Sequence, residues 1–318
     1  MEWFEAVLLG LIQGLTEFLP VSSSGHLEIG KVLLGVETSD DLLFTTMVHA
    51  ATVLSTVVVF RSQIWDLLTG FFCGFKDLKV SDGKLQCNDQ TDYLLKMVVS
   101  MIPVFVVGVF FKDAVESLFG SITVVGFALV ATAALLFFSD FASRPGAKSI
   151  FPENTYRNGI SYWQAFAVGL GQAFAVVPGL SRSGTTISTG LICGVRREVM
   201  AQFSFLMVLV PILGETFLEL IGGEFGASSV GALALVLGFL SAFVSGLFAC
   251  KVMIALVRKA RLSWFALYCL LAAAAIFIFG STAARNDLIF ISLCDERVAD
   301  VPTPSVMKYL IDNRLGET

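Results

Sequence analysis

The chain has 318 residues, of which 56% are hydrophobic and only 15% are charged, and its mean hydropathy is +0.81. Soluble domains rarely reach such values, so the composition excludes a water-soluble protein and indicates an integral membrane protein. The net charge of −5 argues against nucleic-acid binding, which needs a basic surface.

The first apolar run, residues 3–20, ends in the polar sequence SSSGH at 22–26, and a second short run follows to about Val36. Neither run comfortably crosses a hydrocarbon core of about 30 Å, which requires about 20 residues. A helix that enters the membrane, breaks and returns fits better, because irregular backbone is tolerated there only where protein or water covers it. We therefore predict a re-entrant helix–turn–helix element.

The remaining chain alternates apolar stretches with polar loops at 61–92 and 142–160. A second broken apolar segment occupies 161–195, with the turn sequence PGLSRSG at 178–184. The predicted spans are residues 43–60, 93–111, 121–141, 199–221, 228–250 and 262–281. The predicted fold class is all-α: a polytopic membrane protein with about six transmembrane helices and two re-entrant helix-loop-helix elements.

The two broken segments are related in sequence. GLIQGLTEFLPVSSSGH, from residue 10, aligns with GLGQAFAVVPGLSRSGT, from residue 169, at an offset of half the chain. Inverted repeats whose broken helices meet near the bilayer midplane are a common way to build a site inside a membrane. We predict an inverted-topology repeat of about 1–141 and 142–282 in a membrane domain, 1–282, followed by a polar C-terminal extension, 283–318.

The basic residues are distributed unevenly between the two predicted faces. If both broken segments re-enter, one face receives nearly all lysines and arginines, while the other receives Lys31, Lys112 and the tail. Cytoplasmic loops carry an excess of these residues, so the basic face is predicted to be cytoplasmic. Both termini are then outside, which is the periplasmic side.

Gln13 and Glu17 are four residues apart and share a helix face just before the first break. An ionisable residue at membrane depth is costly and is a functional candidate by default, which favours Glu17 as a catalytic or metal-binding group. Gln13 is a candidate for substrate binding, although glutamine also commonly joins helices within membranes.

The turn at 22–26 offers hydroxyls, backbone N–H groups and one imidazole. A Gly/Ser turn that leads into a helix N-terminus presents donors to an anion, so Ser22, Ser24 and Gly25 are candidate binding residues. Ser23 and His26 have the spacing of a nucleophile with its base. A helix cap is the simpler interpretation of an isolated Ser-Gly-His, but the repeat and the membrane depth favour function.

Arg182 occupies the matching break of the second half. Glu17 could be its counter-charge, which would make the arginine structural, but the many donors around it suit a phosphate group better. The candidate binding residues around Arg182 are Ser181, Ser183, Gly184, Thr185 and Thr186. His49 lies in a predicted span with no motif nearby and is interpreted as structural.

These stretches resemble the bacterial undecaprenyl pyrophosphate phosphatase family of the bacitracin-resistance type. The family pattern (E/Q)xxxE followed by PxSSxGH is matched at 13–26, and the pattern PGxSRSxxT is matched at 178–186. The similarity extends over about residues 1–282. The chain departs from the family at Gln13, where many members carry Glu, and at Gln202, which replaces Arg in an RFSFL-like stretch.

The resemblance implies hydrolysis of undecaprenyl pyrophosphate at the outer face of the bacterial inner membrane, which recycles the lipid carrier of cell-wall synthesis and confers bacitracin resistance. Ser23 is expected to attack the terminal phosphorus, His26 and Glu17 to transfer protons, and Arg182 to stabilise the equatorial oxygens. His26 as nucleophile, or as activator of a water, is the alternative. The charge of the substrate predicts a divalent cation, Mg²⁺ or Ca²⁺, that arrives with its phosphates.

A lipid transporter or flippase is the alternative function, because transporters also use inverted repeats with broken helices. The Ser23 and His26 pair favours the phosphatase, since a flippase needs no nucleophile. Type 2 phosphatidic acid phosphatases also use a Ser-Gly-His turn, but their pattern needs a second histidine six residues after the arginine of a Ser-Arg pair. That position is Ser188 here, so this family is excluded. The sequence leaves open whether two copies form a homodimer.

Overall fold

The structure is a computed structural model that describes residues 1–36, 42–74, 79–81, 84–86, 88–118, 121–143, 157–222, 230–259 and 261–278. Residues 1–274 form one compact unit, and the packing below is that of this unit. The predicted C-terminal extension, 283–318, lies outside the described residues.

The described chain is almost entirely helical. In chain order, the helices are α1 (Trp3–Phe18), α2 (Ser23–Leu34), α3 (Leu42–Val59), α4 (Arg61–Gly74), α5 (Asp89–Phe110), α6 (Lys112–Glu116), α7 (Ile122–Ala142), α8 (Tyr162–Phe174), α9 (Arg182–Ile192), α10 (Arg197–Gly222), α11 (Ala232–Lys259) and α12 (Ser263–Ile278). Between α4 and α5, β1 (Lys79–Ser81) pairs antiparallel with β2 (Lys84–Gln86).

Four of the described helices, α5, α7, α10 and α11, are long and apolar enough to cross a membrane. Helices α3 and α4 meet at an angle of 75° and count as a fifth span if they form one broken span. Helix α12 is apolar but shorter in its described part. The all-α polytopic fold is therefore confirmed, with four or five spans by length and composition where the sequence predicted about six.

The predicted polar loop at 61–92 is partly wrong, because it contains helix α4. The side chains of Trp65 and Phe72 are 67% and 71% exposed on this helix. Aromatic side chains that alternate with polar ones suit the boundary between lipid and water, where one side of a helix is apolar and the other is wet. The polarity that suggested a loop therefore belongs to one face of a helix.

Helices α1 and α2 form the first hairpin. Pro20 disfavours the helical conformation at the residue before it, and Leu19 is extended, which ends α1. Ser22 then caps α2 by accepting a hydrogen bond from the Gly25 N–H at 3.3 Å. Helix α2 returns along α1 and packs against it closely: a Cβ at Gly30 would lie only 3.0 Å from the Leu9 side chain.

Helices α8 and α9 form the second hairpin in the same way. Ser181 caps α9 by accepting from the Gly184 N–H at 3.1 Å. Near the open end of the hairpin, Gln164 Nε2 donates to the Cys193 carbonyl at 2.8 Å, so the start of α8 lies beside the end of α9. Both broken segments are therefore helix–turn–helix hairpins, while the inverted repeat stays a prediction.

Helix α1 packs closely against α11 through small residues. A Cβ at Gly10 would collide with the Gly238 carbonyl oxygen, and one at Gly14 would collide with Ser245 Oγ. Ser241 Oγ also donates to the Val7 carbonyl at 2.8 Å. Small residues let helix backbones approach within a membrane, so this packing fixes the helix that carries Gln13 and Glu17.

A polar network joins three helix ends. Asp140, near the end of α7, accepts from Arg197 Nη2 of α10 at 2.8 Å. It also accepts from the Leu262 N–H at 3.3 Å and from the Ser263 hydroxyl, at the start of α12. A carboxylate that is only 3% exposed is stabilised by these donors, and it ties α12 to the bundle.

A second network surrounds the start of α8. Asp92 of α5 forms a buried ion pair with Lys96 at 2.6 Å and accepts from the Tyr162 hydroxyl at 2.8 Å. Asn158 Nδ2 donates to the same carboxylate at 3.0 Å. These contacts hold the second hairpin against α5 and involve none of the predicted site residues.

Candidate active site

The turns of the two hairpins contact each other directly. Ser183 Oγ, in the first turn of α9, donates to the Leu19 carbonyl at 3.1 Å. The Gly179 N–H donates to Ser24 Oγ at 3.4 Å. Two segments that are half a chain apart therefore form a single polar centre between apolar helices, as the repeat predicted.

Glu17 is the centre of this cluster. Ser23 Oγ donates to Glu17 Oε2 at 2.6 Å, and Gln13 Nε2 donates to the same oxygen at 2.9 Å. A carboxylate that accepts a hydrogen bond from a serine hydroxyl orients that hydroxyl and is placed to act as its base. The geometry therefore pairs Ser23 with Glu17, across the break between α1 and α2.

Arg182 and His49 both interact electrostatically with Glu17. Arg182 begins α9, and the contact of the two turns places its side chain in the lining of the same pocket as Glu17. This pocket is narrow, with a cavity volume of about 20 Å³, and has apolar walls from α3 and α10. Its polar lining residues are Glu17, Thr52, Thr56, Arg182, Ser183 and Ser204.

The His26 ring is bonded at both nitrogens. Nδ1 lies 2.7 Å from the Ser22 carbonyl oxygen, and Nε2 lies 2.7 Å from the Tyr268 hydroxyl. The two rings stack with centroids 5.5 Å apart and planes 12° apart. Among the hydrogen bonds of the described residues none joins His26 to Ser23, so the predicted nucleophile and imidazole are not bonded to each other.

The family model described as "Bacitracin resistance protein BacA" matches residues 6–275. The chain belongs to this family. The resemblance stated from the two motifs is thereby confirmed.

Similar proteins named "Undecaprenyl-diphosphatase" come from several bacteria. The protein of Bacteroides fragilis is 51% identical over 273 residues, which cover 85% of this chain and 95% of the relative. That of Parabacteroides distasonis is 50% identical over 276 residues, covering 86% and 96%. That of Christiangramia forsetii is 46% identical over 283 residues, covering 88% and 98%.

The predicted binding serines of this BacA-family chain shape the two turns. Ser22 and Ser181 are helix caps, and the Oγ of each lies 3.4 Å from the Oγ of the serine two positions later, Ser24 or Ser183. The two glycines pack tightly: a Cβ at Gly25 would lie 3.0 Å from Val125, and one at Gly184 would lie 3.2 Å from Pro20. Larger residues at these glycines would therefore separate the turns.

The two threonines of the second turn differ in their surroundings. Thr186 Oγ1 lies 2.6 Å from Ser204 Oγ of α10, which lines the pocket. Thr185 places its methyl group 3.5 Å from where a Cβ of Gly171 on α8 would lie, and its buried hydroxyl has no hydrogen-bond partner. Thr186 is thus linked to the pocket wall, whereas Thr185 lies toward the inside of the second hairpin.

Sequence reasoning missed two residues that contact the site. The interpretation of His49 as structural stays a prediction: its Nδ1 lies 2.8 Å from the Thr45 carbonyl oxygen, and it is close enough to Glu17 for an electrostatic interaction. Ser204 lies in the RFSFL-like stretch, which marked the segment without assigning the serine a role. Tyr268 gave no signal at all, because only the tertiary fold brings it to His26.

The side-chain oxygens of Gln13 and Glu17 are compatible with a divalent cation. Gln13 is fully buried, and its Oε1 has no hydrogen-bond partner. With Glu17 it supplies two oxygens of the kind that Mg²⁺ and Ca²⁺ prefer. Within the described ranges no three His, Cys, Asp or Glu residues form a metal-binding group, so further ligands would come from a substrate or water.

Proposed function

We propose that this protein hydrolyses undecaprenyl diphosphate to undecaprenyl phosphate and inorganic phosphate. The observation that carries the proposal is the 2.6 Å hydrogen bond from Ser23 to Glu17, at the point where the second turn brings in Arg182. A nucleophile, its base and a guanidinium are the groups that phosphoryl transfer requires. The relatives that bear the name of this activity support it over most of the chain.

In the first step, Ser23 Oγ forms a bond to the terminal phosphorus and the hydroxyl proton moves to Glu17. The bond from that phosphorus to the bridging oxygen breaks, and its electron pair leaves with undecaprenyl phosphate. Arg182 neutralises charge on the equatorial oxygens through paired N–H donors. A water then attacks the phosphoserine, inorganic phosphate leaves, and Ser23 recovers its proton.

The bonding of His26 favours Ser23 over His26 as the nucleophile. The Nδ1 position is taken by the Ser22 carbonyl and the Nε2 position by Tyr268, so an attack by the imidazole would first require a hydrogen bond to break. Ser23 has its base already in place. His26 is then left for proton transfer at the edge of the site. A water that donates to Nε2 in place of Tyr268 exchanges one hydrogen bond for another, so His26 could activate the water of the second step.

Glu17 and Gln13 would hold a Mg²⁺ or Ca²⁺ ion together with the phosphates of the substrate. The bound ion would neutralise phosphate charge that a single arginine leaves uncompensated. The unpartnered Gln13 Oε1 supports this assignment, because a buried oxygen without a donor is costly.

The position of the site supports a substrate that arrives from the lipid phase. The narrow pocket next to Glu17 and Arg182 has mostly apolar walls, as expected beside the apolar part of a lipid substrate. We place the protein in the bacterial inner membrane, with both termini and the entrance to the site on the periplasmic side. In this position the reaction recycles the lipid carrier of cell-wall synthesis and confers bacitracin resistance.

Phosphate release from a prenyl diphosphate tests the function with purified protein in detergent. Ser23→Ala and Arg182→Lys are expected to lower kcat by about 10²- to 10⁴-fold, the usual contribution of such groups. Ser117→Ala and Arg61→Lys are matched controls on exposed surface and should retain activity. A chelator should abolish release, and added Mg²⁺ or Ca²⁺ should restore it.

The same assay can reject the proposed phosphatase activity. Folded wild-type protein that binds the lipid and releases no phosphate, with either ion present, is not a phosphatase. Equal activity of Ser23→Ala and wild type would reject the assigned nucleophile.

A further inference from the structure

Tyr268 lies on α12, outside both hairpin turns, and makes a polar contact with the site. Its hydroxyl is 2.7 Å from His26 Nε2, and its ring stacks on the imidazole at a centroid distance of 5.5 Å. The tyrosine side chain is 47% exposed, so the pair lies at the edge of the site. The hydrogen bond joins residues that are 242 positions apart in the chain.

The direction of this hydrogen bond follows from the other ring nitrogen. A carbonyl oxygen only accepts, so the 2.7 Å contact with the Ser22 carbonyl requires a proton on His26 Nδ1. In the neutral imidazole, Nε2 then carries the lone pair, and Tyr268 must be the donor. The two contacts together define one tautomer and one orientation of the ring.

Helix α12, which carries Tyr268, is anchored at two points. The next residue, Cys269, is buried and its Sγ lies 3.6 Å from the Pro20 carbonyl oxygen in the first turn. At the start of the helix, Ser263 donates to the buried Asp140. The tyrosine is therefore presented by a helix that is fixed to both the turn and the bundle, and a pre-oriented donor positions its partner effectively.

We propose that Tyr268 is a positioning residue of this site, whose hydroxyl holds the His26 imidazole with Nε2 as an acceptor at the entrance. The proposal rests on the proposed phosphatase function. Tyr268 acts through His26, and Ser23 with Glu17 carries out the attack. Until a water replaces Tyr268 on Nε2, the hydroxyl keeps the lone pair of that nitrogen turned toward the entrance. Loss of the hydroxyl removes this orienting contact, so proton transfer slows while substrate binding is unchanged.

Tyr268→Phe retains the stacked ring and removes only the hydroxyl. We expect kcat to fall about 3- to 10-fold with KM unchanged, the effect of losing one hydrogen bond of ordinary strength. Tyr162→Phe is the matched control, because it also removes one hydroxyl that donates at 2.8 Å, in a network away from the site. It should leave kcat and KM at the wild-type values.

A second readout does not depend on activity. The chain has only two histidines, so protein labelled with ¹⁵N in the histidine rings gives two sets of nitrogen signals, and His49→Gln assigns them. In wild type, His26 should show a protonated Nδ1 and a hydrogen-bonded, unprotonated Nε2. In Tyr268→Phe the Nε2 signal should move to the position of a nitrogen without that donor, and Tyr162→Phe should cause no change.

These results separate the two proposals. Unchanged His26 signals in Tyr268→Phe, or a kcat equal to that of Tyr162→Phe, would overturn the role of Tyr268 while leaving the phosphatase intact. A loss that appears in KM alone would also overturn it, because it would indicate a contact with the lipid. If wild type releases no phosphate, the proposed function fails whatever the NMR signals show.

Discussion

Glu17 accepts two hydrogen bonds on one carboxylate oxygen, from Ser23 at 2.6 Å and from Gln13 at 2.9 Å. Arg182, from α9, lines the same pocket and supplies the opposite charge. A charged carboxylate in a membrane protein is tolerated only with such partners. The serine is thereby linked to a base that hydrogen bonds from α1 and α2 keep in place.

Ser23 and Glu17 should behave as one unit in kinetics. We expect Ser23→Ala and Glu17→Gln each to lower kcat by about 10²- to 10⁴-fold, and the double variant to be no slower than the slower single variant. The reason is that each substitution removes the same step, transfer of the serine proton. Phosphate release measures the three rates, and losses that multiply in the double variant would show that the two residues act independently.

At the scale of elements, each hairpin turns through a capping serine, and the second also turns through Gly179, which has φ of +88°. A Cβ there would lie 2.6 Å from Val125 Cα on α7. Both the backbone conformation and the space therefore require glycine at this position. The turn that presents Arg182 thus depends on contact with a helix outside the hairpin.

Gly179→Ala should destabilise the protein by about 2 kcal/mol or more, from the left-handed backbone and the collision with α7. Gly108→Ala is the matched control, because its Cβ would meet nothing within 4 Å and alanine favours the helix. Thermal unfolding followed by tryptophan fluorescence compares them. A melting temperature of Gly179→Ala equal to that of Gly108→Ala would contradict the packing described for the turn.

At the scale of the whole molecule, Asp140 joins the ends of α7, α10 and α12. Asp140→Asn removes the charge that pairs with Arg197 and should lower the free energy of unfolding by about 2–3 kcal/mol. This is less than the cost of breaking a fully buried pair, because Arg197 is 21% exposed. Asp113→Asn is the control, because Asp113 lies on the exposed surface of α6, and its melting temperature should stay within about 1–2 °C of wild type. An equal change of melting temperature in the two variants would refute this role for Asp140.

The orientation of the chain is a further prediction at this scale. Cys73 is exposed on α4, and the distribution of basic residues places it on the cytoplasmic side. In variants that carry a single cysteine, an impermeant maleimide should label Glu2→Cys in intact spheroplasts and Cys73 only after permeabilisation. The reverse pattern of labelling would invert the proposed topology.

The membrane class and the two breaks could be predicted from the sequence, and the candidate site residues were proposed from it, because each depends on a local feature. Apolar length predicts a span, Pro20 and Pro178 interrupt a helix, and an ionisable group between apolar runs indicates function. The helix at 61–74 was missed, because an interfacial helix has the polarity of a loop when only composition is considered. The order of the elements therefore followed from local patterns, with errors at the interface.

Only the tertiary structure decided which groups meet. The sequence paired Ser23 with His26 by spacing, whereas the fold bonds Ser23 to Glu17 and His26 to Tyr268. It also brings Ser204 of α10 to Thr186 of α9, which periodicity alone cannot indicate. Spacing along a chain determines which side chains share a helix face, but contacts between helices depend on how the hairpins and α12 pack, and that packing is a property of the whole bundle.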